Sequence, residues 1–140
     1  MVSEPVGRQI VFTGRSIQEA FSAALAEVGG SLATWVVLSA LSDVGIVSQA
    51  VLASHVHLEG ATITHHVDRL ESAGLVQRRL DPQDRRIRRL ELTPAGEELH
   101  GRMLTAAQAF ERKVTAGLAE RDVTTVRRVL ARIAANLSGG

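Results

Sequence analysis

Hydrophobic residues recur at helical spacing over most of this 140-residue chain, and the pattern predicts a mostly helical protein. The predicted helices cover about residues 8–28, 32–43, 48–56, 60–73, 94–118 and 120–137. In the fourth of them, Ile63, Val67 and Leu70 lie at positions i, i+4 and i+7, which predicts one buried face. Gly74 follows at the position where a left-handed residue closes a helix.

The pattern changes between residues 75 and 92 to short runs of strand-forming residues that carry charge. Residues 75–80 and 87–92 are predicted as the two strands of a hairpin, because residues 81–84, Asp-Pro-Gln-Asp, are typical of a tight turn. Six arginines fall in this region: Arg78, Arg79, Arg85, Arg86, Arg88 and Arg89. Within that stretch only the carboxylates of Asp81 and Asp84 can balance these positive charges, and like charges on neighbouring strands repel. The excess predicts an anionic partner outside the chain.

Composition excludes several classes of protein. The chain has no cysteine, which excludes disulfides, thiolate metal sites and thiol-based redox sensing. The N-terminal segment has no signal-peptide pattern and the longest apolar run is too short to cross a bilayer, so we expect a cytoplasmic protein without a membrane partner. No nucleophile elbow, glycine-rich phosphate loop or carboxylate pair is visible, so we expect no enzyme, no catalytic residue and no cofactor.

A short helix, a turn, a second helix and a hairpin follow one another from residue 48 to residue 92, which is the order of a winged helix-turn-helix. The second helix is narrow enough for the major groove of DNA, and the hairpin, or wing, can reach the adjacent backbone or minor groove. On the polar side of that helix, Thr62, Thr64 and His65 can bond to base edges or phosphates. Arg69, one turn further on, is expected to meet phosphate.

The chain resembles the MarR family of transcriptional regulators over nearly its whole length. Residues 81–96, DPQDRRIRRLELTPAG, resemble the wing signature of the family, and residues 61–76, ATITHHVDRLESAGLV, resemble its recognition helix and exit. The resemblance implies one domain over residues 1–140, with an α+β winged helix-turn-helix at about 32–93 and dimerisation helices at about 8–28 and 94–137. It also implies a homodimer that represses by binding a near-palindromic operator and is released by a small molecule, such as an aromatic or phenolic compound.

The resemblance also implies roles for single residues. Asp84 would brace the wing and Arg86 would enter the minor groove, while Ser48 and Gln49 would contact phosphate. Arg85 and Arg88 would supply further backbone contacts. The position of His65 is often arginine in the family, and a histidine offers single contacts where arginine can bind guanine through two hydrogen bonds.

Long apolar stripes on the first, fifth and sixth helices support a dimer independently of the resemblance. The central domain cannot cover all of them, and left exposed they would form a large apolar patch. Two-fold pairing would bury these stripes and place two recognition helices about one DNA turn apart.

Other interpretations of single residues stay open. Four histidines, His55, His57, His65 and His66, fall within twelve residues and raise the alternative of a zinc-responsive regulator. Zinc needs about four converging ligands, and neighbouring side chains on a helix diverge by about 100°, which favours ordinary surface histidines and no metal site. Trp35 fits core or dimer packing, or the stacking of a small ligand. A third alternative is an antagonist that keeps the fold without touching DNA, for which six arginines on the wing would have little use.

Overall fold

The computed structural model describes residues 3–45, 47–56 and 60–139. In chain order its elements are α1 (Val6–Glu27), α2 (Leu32–Val44), β1 (Val47–Ser48), α3 (Gln49–Val56), α4 (Gly60–Ser72), β2 (Val76–Leu80), β3 (Arg88–Leu92), α5 (Pro94–Val114) and α6 (Glu120–Ser138). The mostly helical fold with a small hairpin is therefore confirmed. Helix α5 ends at Val114 rather than near residue 118, because the chain turns at Gly117, whose φ is 81°. No single described helix is both long and apolar enough to span a membrane, although α1 and α2, with a 77° bend between them, pass that test as a pair.

The hairpin belongs to a three-stranded antiparallel sheet in the order β1-β3-β2. Strand β1 was not predicted: it has two residues, too few for an alternating pattern, and it pairs Val47 with Leu90 and Ser48 with Arg89. The connection between β2 and β3 is one residue longer than the six residues that the predicted strands leave between them. It spans residues 81–87 and is closed by hydrogen bonds from Asp81 N–H to the Ile87 carbonyl (2.9 Å) and from Ile87 N–H to the Asp84 carbonyl (3.0 Å).

The chain divides into two compact units, Met1–Gln108 and Ala109–Gly140. In the first unit, α2, α4, β3 and α5 contribute to one core, and the predicted buried face of α4 is part of it. The largest fully buried side chains are Leu25, Leu38, Leu52, Ile63, Leu90, Met103, Val37, Val67 and Val76. In the second unit, α6 buries no residue. Its apolar positions were expected to be buried, yet Val126, Leu130 and Leu137 are exposed in the single chain.

The start of α5 is fastened to the end of α4. Gly74 closes α4 with a φ of 77°, as its position predicted. The hydroxyl of Thr93 donates to the Gly74 carbonyl (2.6 Å) and accepts the N–H of Gly96 (3.0 Å). The N–H of Thr93 donates to the Leu75 carbonyl (3.1 Å). Thr93 therefore caps α5 and also fixes where the wing joins the helical core.

Candidate nucleic-acid interface

Helix α4 presents a polar face opposite its buried one. Ile63, Val67 and Leu70 are buried because they share one side of the helix. Thr62, Thr64, His65 and Arg69, the four positions that the sequence indicated for DNA contact, are all exposed. Arg69 stands apart from the rest, since it lines a small cavity of about 170 Å³ with Ser31 and Thr34, at the start of α2, and His66.

The start of α3 is joined to α4 by a side-chain contact that the sequence did not reveal. Ser48 lies in β1, and its hydroxyl accepts the N–H of Val51 (3.3 Å), which caps the first turn of α3. Gln49 is the first residue of α3, and its Nε2 donates to Oγ1 of Thr64 (2.5 Å). Thr64 is therefore tied to α3, whereas Thr62 and His65 project from α4 on either side of it in sequence.

Asp81 organises the wing loop from within. It is 6% exposed, and its Oδ1 accepts the N–H groups of Gln83 (2.7 Å) and Asp84 (3.1 Å), while its Oδ2 accepts from Nε of Arg89. The backbone hydrogen bond from Gln83 and the guanidinium of Arg89 hold the pKa of Asp81 below its ordinary value. Sequence reasoning assigned Asp81 to the tight turn and counted it as a counter-charge, but did not predict that it organises the loop. An aspartate directly before Pro82 was the available signal, because such residues commonly bond to the backbone two residues on.

Asp84 holds Arg86, the arginine assigned to the minor groove. Its Oδ1 accepts the backbone N–H (3.1 Å) and the Nε (3.0 Å) of Arg86, and its Oδ2 accepts a second guanidinium N–H (3.2 Å). The Arg86 side chain is nonetheless 90% exposed. The hydrogen bonds from Arg86 keep the pKa of Asp84 low. The hydrogen bonds to Asp84 thus orient the guanidinium of Arg86 while leaving it exposed.

The wing arginines have more carboxylate partners than the sequence suggested. Asp81 forms an ion pair with Arg89, and Asp84 forms one with Arg86. Three further carboxylates come from outside the turn. Asp68 and Glu71 of α4 pair with Arg78, and Glu91 of β3 pairs with Arg79. The expectation that six arginines face only two partners was therefore wrong. Among the described residues, Arg85 and Arg88 have no ion pair, so the charge available to an outside anion is concentrated at the end of the wing.

An open cleft of about 520 Å³ separates the wing from the start of α3. It is lined by Ser48, Gln49, Ala50, Val51, Arg86, Ile87, Arg88 and Arg89. Four residues that the sequence indicated for DNA contact therefore line one cleft. Because Gln49 also contacts Thr64, this surface is continuous with the polar face of α4.

Trp35 lies in a cluster of rings in the first unit. Its indole is half-buried, meets the ring of Phe21 edge-on at 5.9 Å and stacks on the imidazole of His100 at 5.6 Å. Nε2 of His100 lies 3.4 Å from the hydroxyl of Ser39. Helices α2 and α5 approach each other here, so the His100 ring packs against side chains of α2.

The histidines do not converge where the structure describes them. Within residues 3–45, 47–56 and 60–139, no group of three or more His, Asp or Glu side chains is placed to hold a metal ion. The rings of His65 and His66 are 6.0 Å apart and tilted by 52°. His57 and the side chain of His55, both part of the zinc alternative, lie outside what the structure describes.

The buried carboxylate predicts a pH-dependent contribution of the wing to stability. Since folding lowers the pKa of Asp81, its contribution is present above the ordinary aspartate pKa and is lost as the pH falls through the folded-state value. Asp81→Asn should therefore lower the melting temperature near pH 7, and the difference from wild type should shrink towards about pH 3. Asp43→Asn, at an exposed position, is the control. A difference that stayed constant over this pH range would contradict the role of the Asp81 charge.

The α3–α4 pair followed by the β2–β3 hairpin defines a winged helix-turn-helix protein. The MarR family profile matches residues 31–87. The uncharacterized HTH-type transcriptional regulator YdgJ of Bacillus subtilis is 32% identical over 92 residues, which are 66% of this chain but only 56% of that relative. A crystal structure of a probable transcriptional regulator from Pseudomonas aeruginosa is 32% identical, with a TM-score of 0.76 over 92% of this chain and 99% of that one. Bordetella bronchiseptica BpsR, whose DNA binding is regulated by 6-hydroxynicotinic acid, is 25% identical, with a TM-score of 0.83 over 96% of each chain.

The chain therefore belongs to the MarR family. YdgJ and the Pseudomonas aeruginosa protein carry the names of transcriptional regulators.

Proposed function

We propose that this chain binds duplex DNA as a transcriptional regulator, with α4 in the major groove and the wing on the adjacent backbone or minor groove. The observation that carries the proposal is one continuous polar surface. It runs from the exposed face of α4, through the contact between Gln49 and Thr64, to the cleft between α3 and the wing arginines. A helix and a ribbon joined in this way match the dimensions of neighbouring grooves.

The side chains on this surface divide the work of recognition. Thr62 and His65 project from α4 and can hydrogen-bond base edges. Arg85, Arg86 and Arg88 provide positive charge for phosphates and the minor groove, which supplies affinity and register more than sequence choice. The hydroxyl of Ser48 accepts the N–H that caps α3, so it keeps its own proton for a phosphate oxygen.

The functional form in this proposal is a homodimer on a near-palindromic operator, with residues 1–140 acting as one domain. Both α1 and α6 leave large apolar side chains exposed in the single chain: Val6, Val11, Phe12 and Ile17, and Val126, Val129, Leu130 and Leu137. A second copy would cover such surfaces and would duplicate the recognition helix. A solution mass of one chain would contradict this assembly.

We further propose repression that a small aromatic or phenolic ligand relieves. The regulation of BpsR by 6-hydroxynicotinic acid supports a ligand of this class. In this chain the half-buried indole of Trp35, stacked on His100, offers an aromatic surface and a polar ring nitrogen near the hydroxyl of Ser39. An aromatic acid could stack on the indole of Trp35 and hydrogen-bond to the ring nitrogen of His100.

The test of DNA recognition separates base contacts from backbone contacts. Duplexes selected from a random pool by the wild-type protein define its preferred site. His65→Ala should then cost about 1–3 kcal/mol at one base pair of each half-site and flatten the preference there. Arg88→Ala, the matched control, should weaken binding to every sequence alike, because a phosphate contact carries no base information.

Two results would contradict the proposal at different levels. An unchanged base preference in His65→Ala, measured by competition among single-base variants of the site, would remove His65 from base reading. Failure of the wild-type protein to retain any duplex at low salt would remove DNA binding itself.

A further inference from the structure

We infer that Arg78 is a positioning residue that sets the sequence preference of α4 without contacting DNA, by holding α4, α3 and β2 together through one guanidinium. The inference rests on the proposed DNA binding and deepens it. We call the group formed by Arg78, Asp68, Glu71, Gln49 and Thr64 the Arg78 bracket. One of its members, Thr64, lies on the exposed face of α4 that is proposed to read bases.

The Arg78 bracket joins three elements through the fork of one side chain. One terminal nitrogen of Arg78 donates to Glu71 (2.8 Å). The other donates to Asp68 (2.7 Å) and to the side-chain carbonyl oxygen of Gln49 (3.3 Å). Asp68 and Glu71 lie on α4, Gln49 begins α3, and Arg78 itself lies in the middle of β2. A planar guanidinium with fixed donors is suited to hold several acceptors at defined angles.

Arg78 differs from the other wing arginines in being enclosed. Its side chain is 15% exposed, against 67% for Arg79 and 90% for Arg86. Burial alone would lower the pKa of Arg78, but the hydrogen bonds and charges of Asp68 and Glu71 outweigh it and raise that pKa. A phosphate would have to displace two carboxylates to reach this guanidinium, and would meet their negative charge on approach. Arg85 and Arg88 offer no such obstacle.

The bracket reaches the reading face through the amide of Gln49. Because Arg78 donates to its carbonyl oxygen, the amide nitrogen is directed at Oγ1 of Thr64, to which it donates (2.5 Å). Rotating the amide by half a turn would set its N–H groups against the guanidinium donors of Arg78. The orientation of Gln49 is thereby fixed, and with it the distance between the start of α3 and the middle of α4.

The consequence concerns Thr62 and His65, which flank Thr64 on α4. Base readout needs hydrogen bonds with defined lengths and angles, and these depend on how α4 is set relative to the elements that dock on the backbone. Ser48, directly before α3, and Arg86 and Arg88 on the wing would anchor that docking. Arg78 fixes the orientation of α4 relative to these anchoring residues beside α3 and on the wing. Its loss should therefore reduce the preference among base sequences while leaving the phosphate contacts intact.

Arg78→Lys is the test, with Arg79→Lys as the matched control on the same strand. A lysine keeps the charge but has no planar fork, so it cannot hold both carboxylates and Gln49 in this geometry. We expect Arg78→Lys to lose about tenfold in affinity for the preferred site, the size of a typical coupling within one hydrogen-bonded network. Affinity for random duplex and the slope of log affinity against log salt should stay at wild-type values. Arg79→Lys should preserve the ratio between preferred and random duplex.

Three outcomes would overturn the inference, with binding measured well below the melting temperature of each variant. A smaller salt slope in Arg78→Gln/Glu71→Gln, which removes one charge of each sign, would mean that Arg78 binds phosphate directly. An unchanged ratio of preferred to random binding would mean that its role is only structural. Additive losses in the double variant Arg78→Lys/Gln49→Ala would mean that the two side chains act separately, because members of one bracket should show a double loss close to the larger single loss.

A measurement without DNA separates this inference from the proposed function. In NMR spectra of the free protein, the side-chain amide of Gln49 should show a distinct shift and slowed exchange in the wild type, and Arg78→Lys should abolish both. Failure of the wild type to bind DNA, with these signals present, would overturn the proposed function and the base-reading role but leave the bracket itself standing. A Gln49 amide that is solvent-like in the wild type would overturn the bracket.

Discussion

Raising the salt concentration from about 50 to about 200 mM is expected to weaken duplex binding by about 10³–10⁵-fold, for a dimer that makes roughly 6–10 phosphate contacts. The physical reason is the release of counterions from the phosphates that the protein neutralises. Arg85 and Arg88 are exposed and have no ion pair among the described residues, and the surface pair of Arg86 with Asp84 leaves its guanidinium accessible. Fluorescence anisotropy with a labelled operator, titrated at several salt concentrations, measures the slope.

Substitutions at the end of the wing identify which arginines produce the salt dependence of DNA affinity. Arg85→Gln/Arg88→Gln should flatten it by nearly one unit for each phosphate that the variant no longer neutralises. Arg79→Gln, at an arginine already paired with Glu91, should change it less. Light scattering at each salt concentration is the control, since a dimer that dissociated would bind more weakly for another reason. A flat salt response of the wild type would remove the electrostatic basis of the proposal.

Gly96→Ala is expected to destabilise the first unit by about 1–3 kcal/mol, the usual cost of forcing extra volume into a packed site. A Cβ at position 96 would overlap the carbonyl oxygen of Leu75, far inside any normal contact distance. That oxygen belongs to the backbone and already accepts the N–H of Thr93, so it cannot move aside without opening the junction of α4, the wing and α5.

Gly101→Ala in the same helix is the matched control for Gly96→Ala. Nothing lies within 4 Å of a Cβ at that position, so the substitution should stabilise α5 by about 0.5–1 kcal/mol through reduced backbone freedom. Urea unfolding of both variants measures the two changes. Shifts of the same sign would contradict the close approach of Gly96 to the wing exit.

Periodicity predicted the helices because their apolar residues repeat at helical spacing over several turns, whereas strand-forming residues on either side of a turn sequence predicted β2 and β3. The buried face of α4 at Ile63, Val67 and Leu70 is the clearest case. Strand β1 escaped prediction since two residues carry no period, and its partner Leu90 is more than forty positions away. The exposed positions of α4 followed from the same periodicity, but their hydrogen-bond partners did not.

The charge pattern of the wing was the least predictable part of the candidate site. A count within residues 78–89 assigns all six arginines to an outside anion. In the folded chain Arg78 meets Asp68 and Glu71 because β2 runs back along α4 after the turn at Gly74. Likewise, Gln49 meets Thr64 only through the packing of α3 on α4. Partners of this kind depend on tertiary geometry, which spacing along one chain does not encode.

The two-residue strand β1 has a mechanical consequence. It pairs the residues before α3 with the middle of β3. The wing is therefore attached to the helix-turn-helix through a shared sheet as well as through its covalent connections. A displacement of the wing tip would therefore be transmitted through β3 and β1 to the first turn of α3. The hydrogen bonds between β1 and β3 and those between β3 and β2 should therefore open in one cooperative step, as parts of a single foldon.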